Sequence, residues 1–144
     1  MKHALSLIKR MENLRTLSRA EVVNRVIKGR IALECLSTGT GNATMLGQLY
    51  ATLCIGMRLA ELREGKVPPA LKKAYDEAVR LMDMTVAMER VVTITETTVF
   101  NVHRGLVLAE EAFTKASPLQ IEQVTTNIMI ERAKQKAERP KKAA

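Results

Sequence analysis

The fold class is decided by residues 43–64, which read ATMLGQLYATLCIGMRLAELRE. Apolar residues recur in this stretch at three- and four-residue intervals, the spacing of one helix face. The turn-forming run TGTGN precedes it at 38–42, and Gly65 follows at a position that favours a left-handed helix end. The stretch therefore predicts a long helix with two defined ends. Small residues that allow a second helix to approach closely are Gly47, Ala51 and Gly56.

Two prolines mark the starts of further helices downstream. Pro69 suits the first position of a helix that continues to about Arg90, because proline lacks the amide hydrogen that this position leaves unbonded. Residues 117–120, SPLQ, combine an N-cap, a first-position proline and a third-position amide. The last helix is therefore predicted to begin at Pro118 and to end before Pro140.

The stretch 91–100, VVTITETTVF, is ambiguous because eight of its ten residues are β-branched and favour a strand. Nothing else in the chain has the pattern of a strand, so a strand here would lack a partner, and we expect a helix with a break or a kink. Thr93 and Glu96 form the pattern of a capping box, which predicts a new helix starting near Ile94. The alternative is one continuous helix over 69–113.

The N-terminal part is predicted to form a pair of basic helices. Residues 2–17 carry the apolar spacing of an amphipathic helix. Ser18 and Glu21 then form the pattern of a capping box, which begins a second helix that ends near Ser37. The sequence thus predicts an all-α fold, a compact bundle of about six helices. The predicted organisation is a single domain over 1–139, including the helix pair 1–37, and a disordered basic tail at 140–144.

Two segments of the chain match at an offset of 49 residues. Residues 56–61, GMRLAE, align with residues 105–110, GLVLAE, and Pro69 aligns with Pro118. We therefore expect an internal duplication of one helical hairpin, with the two copies packed together because neither buries its apolar face alone. The expected copies are residues 43–90 and residues 92–139.

Positive charge is concentrated at the two ends of the chain. The formal net charge is +8, of which residues 1–37 carry +5, residues 38–117 none and residues 118–144 +3. Basic ends attract polyanions, and they would form one positive surface if the two ends lie together in the bundle. The candidate nucleic-acid-binding residues are Lys9, Arg10, Arg15, Arg19, Arg25, Lys28, Arg30, Arg132, Lys134 and Lys136.

No motif in the chain indicates catalysis. Neither Cys35 nor Cys54 has a base placed beside it by a local motif, and the glycine-bearing loop 38–42 lacks the context of a phosphate-binding loop. His103 is not part of the Glu-x-x-His pairs found in metal-binding bundles. We therefore expect a protein that is not an enzyme and holds no metal or cofactor. Two cysteines, no secretory signal and no apolar run of about 20 residues predict a cytoplasmic protein without a membrane span.

Two functions follow as hypotheses. The first is a nucleic-acid-associated accessory or regulatory subunit, which contacts phosphates with weak sequence specificity because four aromatic residues offer few rings for stacking on bases. The alternative is a protein-interaction module, which would act as an adaptor, an inhibitor or an oligomerisation subunit. Its partner would be an acidic protein, or further copies of the same chain in a homo-oligomer. Its basis is the surplus of apolar residues on the second and third predicted helices. Examples of this surplus are Val22-Val23, Val26-Ile27 and Leu53-Cys54-Ile55.

Overall fold

The computed structural model describes residues 15–90 and 93–138. These residues contain five α-helices and no strand, which confirms the all-α class, whereas about six helices were predicted. Residues 2–14 of the predicted first helix lie outside the described residues, and residues 15–17 are not helical. The predicted tail at 140–144 also lies outside them. The helices are α1 (Arg19–Ser37), α2 (Ala43–Glu64), α3 (Pro69–Met88), α4 (Glu96–Thr114) and α5 (Pro118–Glu138).

The helix ends follow the capping residues that the sequence predicts. The Glu21 amide donates to the Ser18 hydroxyl of α1 while the Glu21 carboxylate accepts from the Ser18 amide, which is a complete capping box. Gly65 ends α2 with a φ of 73°, a left-handed conformation that glycine adopts without strain. At the start of α5, Ser117 and Gln120 make the same reciprocal pair of hydrogen bonds.

The chain breaks between α3 and α4, so the alternative of one continuous helix over 69–113 is wrong. Glu89 closes α3 in a left-handed conformation, with a φ of 53°. The cap of α4 is Thr95, whose hydroxyl accepts from the Thr98 amide and contacts the Thr98 hydroxyl at 3.1 Å. The helix therefore begins two residues after Ile94, because the Ile94 side chain is buried in the core and the next residue, Thr95, is the N-cap.

The bundle is organised around α2, which packs against all four other helices. Leu49 and Leu53 of α2 are fully buried, together with Val102 and Leu106 of α4. The main chains of α2 and α4 pass so close that a Cβ built on Gly56 would lie 2.5 Å from the Cβ of Ala109. This contact requires glycine at position 56 and makes α2 and α4 the central pair.

A second cluster joins four helices. Val22 and Val26 from α1 meet Leu59 from α2, Phe113 from α4 and Ile121 from α5, and all five are buried. From this cluster α5 runs along α2, and every residue from Met129 to its end is exposed. The two segments of the predicted duplication thus pack differently, since α3 packs along both α2 and α4, whereas α5 packs mainly on α2 and meets α4 at this cluster. The duplication itself stays a prediction.

Candidate interaction surface

The described parts of the two basic ends meet at the starts of α1 and α5. The amide of Leu17 donates to the carbonyl of Ala116 at 3.4 Å, and the first turns of α1 share the second cluster with Ile121 at the start of α5. Arg132 lies 11 residues beyond Ile121, a rise of about 16 Å along a helix. The basic residues of α5 therefore begin about 16 Å from the point where this helix meets α1. Lys9 and Arg10 lie outside the described residues.

Two of the predicted phosphate-binding arginines are held by carboxylates of the chain itself. Arg15 forms an ion pair with Glu21 at 2.8 Å, and Arg30 forms one with Glu110 across the α1–α4 contact. Hydrogen bonds from the Arg15 guanidinium and from Ser18 lower the pKa of Glu21 to about 2. Both arginines thus contribute less free positive charge than the sequence pattern indicates.

Three basic residues of α1 remain exposed without such a partner. Arg19, Arg25 and Lys28 form no ion pair with any residue in the ranges 15–90 and 93–138. Lys134 and Lys136, in the last turns of α5, are likewise exposed. Arg132 is exposed as well and forms no ion pair with a described residue. These six positions are the described part of the predicted set that a partner can reach without first breaking an ion pair.

A groove beside the end of α5 joins basic and aromatic side chains, a combination that the sequence analysis missed. The rings of Tyr50 and Tyr75 lie 5.5 Å apart, and their hydroxyls are 3.3 Å apart. The Arg132 guanidinium lies 4.9 Å from the Tyr50 ring centroid, and Lys136 lines the same groove of about 450 Å³. Burial and the hydrogen bond to Tyr50 raise the pKa of the Tyr75 hydroxyl. The two tyrosines lie 25 residues apart in the chain, so no local pattern indicates that they pair.

The apolar surplus of the two predicted helices has two different outcomes. In α2 it is buried, since Leu53 and Cys54 lie in the interior of the bundle. In α1 it stays open to solvent, because Val23, Ile27 and Ile31 are 40%, 41% and 48% exposed. We call these three residues, with Ala20, Asn24 and Glu34 on the same side of the helix, the outer face of α1.

A further apolar residue is exposed on α4. Val107 lies one turn before Glu110, the residue that pairs with Arg30 of α1. Val107 therefore lies on the part of α4 that this ion pair joins to α1. A separate depression at the start of α4 is lined by Ile94, Phe100 and His103. Phe100 is exposed there, with the Arg104 guanidinium 5.9 Å from its ring centroid.

The potential metal ligands among the described residues are not grouped, and both cysteines are free thiols. In the ranges 15–90 and 93–138, no three histidine, cysteine, aspartate or glutamate residues are grouped so that they could hold a metal ion. Burial raises the pKa of the Cys54 thiol, which makes it a weaker nucleophile, and Cys35 is a free, half-buried thiol. No helix in this part of the chain has the length and hydropathy needed to cross a bilayer.

Comparison with known proteins gives no match: no family model, no curated protein and no solved structure matches this chain.

Proposed function

We propose that the protein is a non-enzymatic protein-interaction module whose docking surface is the outer face of α1. The observation that carries the proposal is the row of Val23, Ile27 and Ile31, spaced four residues apart and each about half exposed. A surface helix ordinarily presents polar residues on the side opposite its buried stripe. Here the buried Val22 and Val26 already attach α1 to the bundle, so the second apolar stripe is left for a partner.

Burial of Val23, Ile27 and Ile31 alone does not supply enough free energy for a partner to bind. Covering the three half-exposed side chains contributes roughly 2–4 kcal/mol, given about 1.5–3 kcal/mol for burying one such side chain completely. Association costs more than that in lost translational and rotational freedom, roughly 4–15 kcal/mol. A partner must therefore also contact Val107 and the charged residues beside the stripe. Because Arg19, Arg25 and Lys28 are exposed positive charges of α1 without an ion pair to a described residue, the partner surface carries carboxylates.

Site-specific photo-crosslinking tests this proposal. A photoreactive amino acid at position 27 is expected to crosslink to a protein chain in the producing cells, and the substitutions Val23→Ser and Ile31→Ser are expected to abolish that crosslink. The matched control is position 86, because Val86 is also an exposed valine but lies on α3. Crosslinks to nucleic acid alone, or equal crosslinking at positions 27 and 86, would contradict the proposal.

A second candidate function, contact with nucleic acid, is favoured by the groove at the end of α5. Arg132 and Lys136 lie beside Tyr50 and Tyr75, and exposed basic residues next to aromatic rings are what single-stranded nucleic acids bind. Such contacts would go mainly to phosphates. The interaction-module proposal is preferred because two of the predicted phosphate-binding arginines are already paired with carboxylates of the chain.

Salt dependence separates the two candidates. About five phosphate contacts predict that affinity for labelled DNA or RNA falls roughly a hundredfold or more between about 50 and about 200 mM salt. Fluorescence anisotropy would measure this for the unmodified protein and for a variant in which Arg132, Lys134 and Lys136 are replaced by Gln. The control variant neutralises Lys66 and Lys115, which are exposed elsewhere. No binding at the lower salt concentration rules out the nucleic-acid function.

A further inference from the structure

We infer that the partner on the outer face of α1 is a second copy of this chain, with the two α1 helices paired antiparallel around a two-fold axis at Ile27. The inference rests on the proposed function, because it names the occupant of the same surface. The spacing of residues along α1 is the first observation in favour of such a pair. Residues at intervals of four, three, four and three occupy one side of α1, and this alternation is the seam by which one helix packs along another. The seam residues are Ala20, Asn24, Ile27, Ile31 and Glu34.

The outer face of α1 is complementary to itself in the antiparallel direction. In a two-fold pair centred on Ile27, this residue meets Ile27 of the second copy, and Val23 meets Ile31 of the second copy. The small Ala20 then lies opposite Glu34. The three large apolar residues are thus central and the charged residues are terminal, as expected for a core and rim of an interface.

The charges select the antiparallel direction. Arg19 at the start of α1 and Glu34 in its last turn lie on the same flank of the outer face, and neither forms an ion pair with a residue in the ranges 15–90 and 93–138. An antiparallel pair brings Arg19 of each copy next to Glu34 of the other, once at each end. A parallel pair would instead place Arg19 against Arg19 and Glu34 against Glu34, which is repulsive.

The position of Glu34 is otherwise unfavourable. The last turn of α1 has no basic residue, and a carboxylate there faces the negative end of the helix dipole. A contact with Arg19 of a second copy would offset this cost. The same contact would stabilise Arg19, because its positive charge lies at the positive end of its own helix dipole. Each copy thus supplies the counter-charge that the other lacks.

Charge reversal tests this inference without disturbing the fold. Arg19→Glu and Glu34→Arg each place a charge that the helix dipole favours, so both variants are expected to keep or raise the helix stability. Sedimentation equilibrium is expected to show a dimer of the unmodified chain at concentrations up to about 100 µM. Each single reversal is expected to weaken the dimer about tenfold, and the double variant Arg19→Glu with Glu34→Arg to restore it, since the pair is re-formed with exchanged signs.

The core of the interface is tested by disulfide trapping. In a Cys35→Ser background, Ile27→Cys is expected to form a covalent dimer on mild oxidation, because the two-fold axis places position 27 of both copies together. Val86→Cys is the matched exposed control and is expected to stay monomeric. Ile27→Glu is expected to abolish the dimer seen by sedimentation.

The outcomes are distinguishable from those of the proposed function. A chain that stays monomeric up to about 100 µM overturns the inference, as does a double charge reversal that fails to restore the dimer. A chain that dimerises only when residues 1–14 are removed also overturns it, because the face is then covered by the chain's own N-terminal segment. In each of these cases a retained photo-crosslink from position 27 to a different protein keeps the proposed function, and loss of that crosslink removes both.

Discussion

Gly105 of α4 lies against Ala74 of α3 so closely that a Cβ at position 105 would overlap the Cβ of Ala74. Together with the contact between Gly56 and Ala109, this gives α4 close approaches to two different neighbours, α3 and α2. The hydrophobic core of the bundle depends on these approaches, because Val102 and Leu106 reach the interior from the same helix. The site proposed on α1 is positioned by this core, since α1 packs against both α2 and α4.

Substitution of Gly105 tests the close approach. Gly105→Ala is expected to lower the free energy of unfolding by up to about 2 kcal/mol, since overpacking costs about 1–3 kcal/mol and helix propensity returns about 1 kcal/mol. Denaturant unfolding measures the change. Gly47→Ala is the control, because a methyl group there meets no other atom within 4 Å and the substitution is expected to stabilise α2. Stabilisation by both substitutions would contradict the packing described.

The cap of α4 gives a second prediction. Thr95→Ala is expected to cost about 1 kcal/mol of stability, because the Thr98 amide loses its acceptor. Thr93→Ala should have little effect, since Thr93 is exposed and precedes the buried Ile94. The measurement is again denaturant unfolding of both variants. A larger cost for Thr93→Ala would place the helix start where the sequence pattern alone predicts it.

The pH dependence of stability should depend on Glu21. Its pKa falls from an ordinary value of 4.5 to about 2 on folding, so ionised Glu21 stabilises the folded state above pH 4.5. This contribution is lost as the pH falls from 4.5 to about 2. Glu21→Gln keeps the hydrogen-bonding shape of the capping box but removes the charge that pairs with Arg15. Thermal unfolding between these pH values should therefore show a shallower loss of stability for the variant, and equal slopes would contradict the prediction.

The ion pair between Arg30 and Glu110 should be worth little to stability and should remove Arg30 from any binding surface. Both side chains keep about a third of their exposure, so a double-mutant cycle with Arg30→Met and Glu110→Gln is expected to give a coupling of about 0.2–1 kcal/mol. Anisotropy with labelled DNA should show no loss of affinity for Arg30→Met, compared with Lys28→Met as the exposed neighbour. A loss as large as that of Lys28→Met would show that Arg30 contacts phosphate.

Local patterns were sufficient to predict most helix ends. Asn42 and Gly65 mark α2 because an N-cap side chain and a left-handed C-cap act within one turn of the helix. The same holds for Ser117 and Gln120 at the start of α5. The cap at Thr95 was missed by two residues, because burial of Ile94 in the core is a tertiary contact that no capping pattern contains.

The candidate site was only partly predictable. The sequences of α1 and α2 both show apolar residues on nearly all sides, and the choice of which helix becomes central depends on contacts with α3 and α4. The pairing of Arg30 with Glu110 joins residues 80 positions apart, so the charge pattern of α1 overstated its free positive charge. The course of α5 along α2, which determines where its basic residues lie, is likewise not specified by composition.

The most direct test of the docking surface measures whether the outer face of α1 is covered in the cell. In a Cys35→Ser background, the variants Ile27→Cys and Val86→Cys would be labelled with a maleimide in intact producing cells and as dilute purified protein. Both positions are exposed in the isolated chain, so both should react readily when dilute. The account predicts that the labelling rate at position 27, relative to position 86, falls several-fold in cells because a partner covers it. An unchanged ratio would show that the face stays open to solvent and would contradict the proposed function.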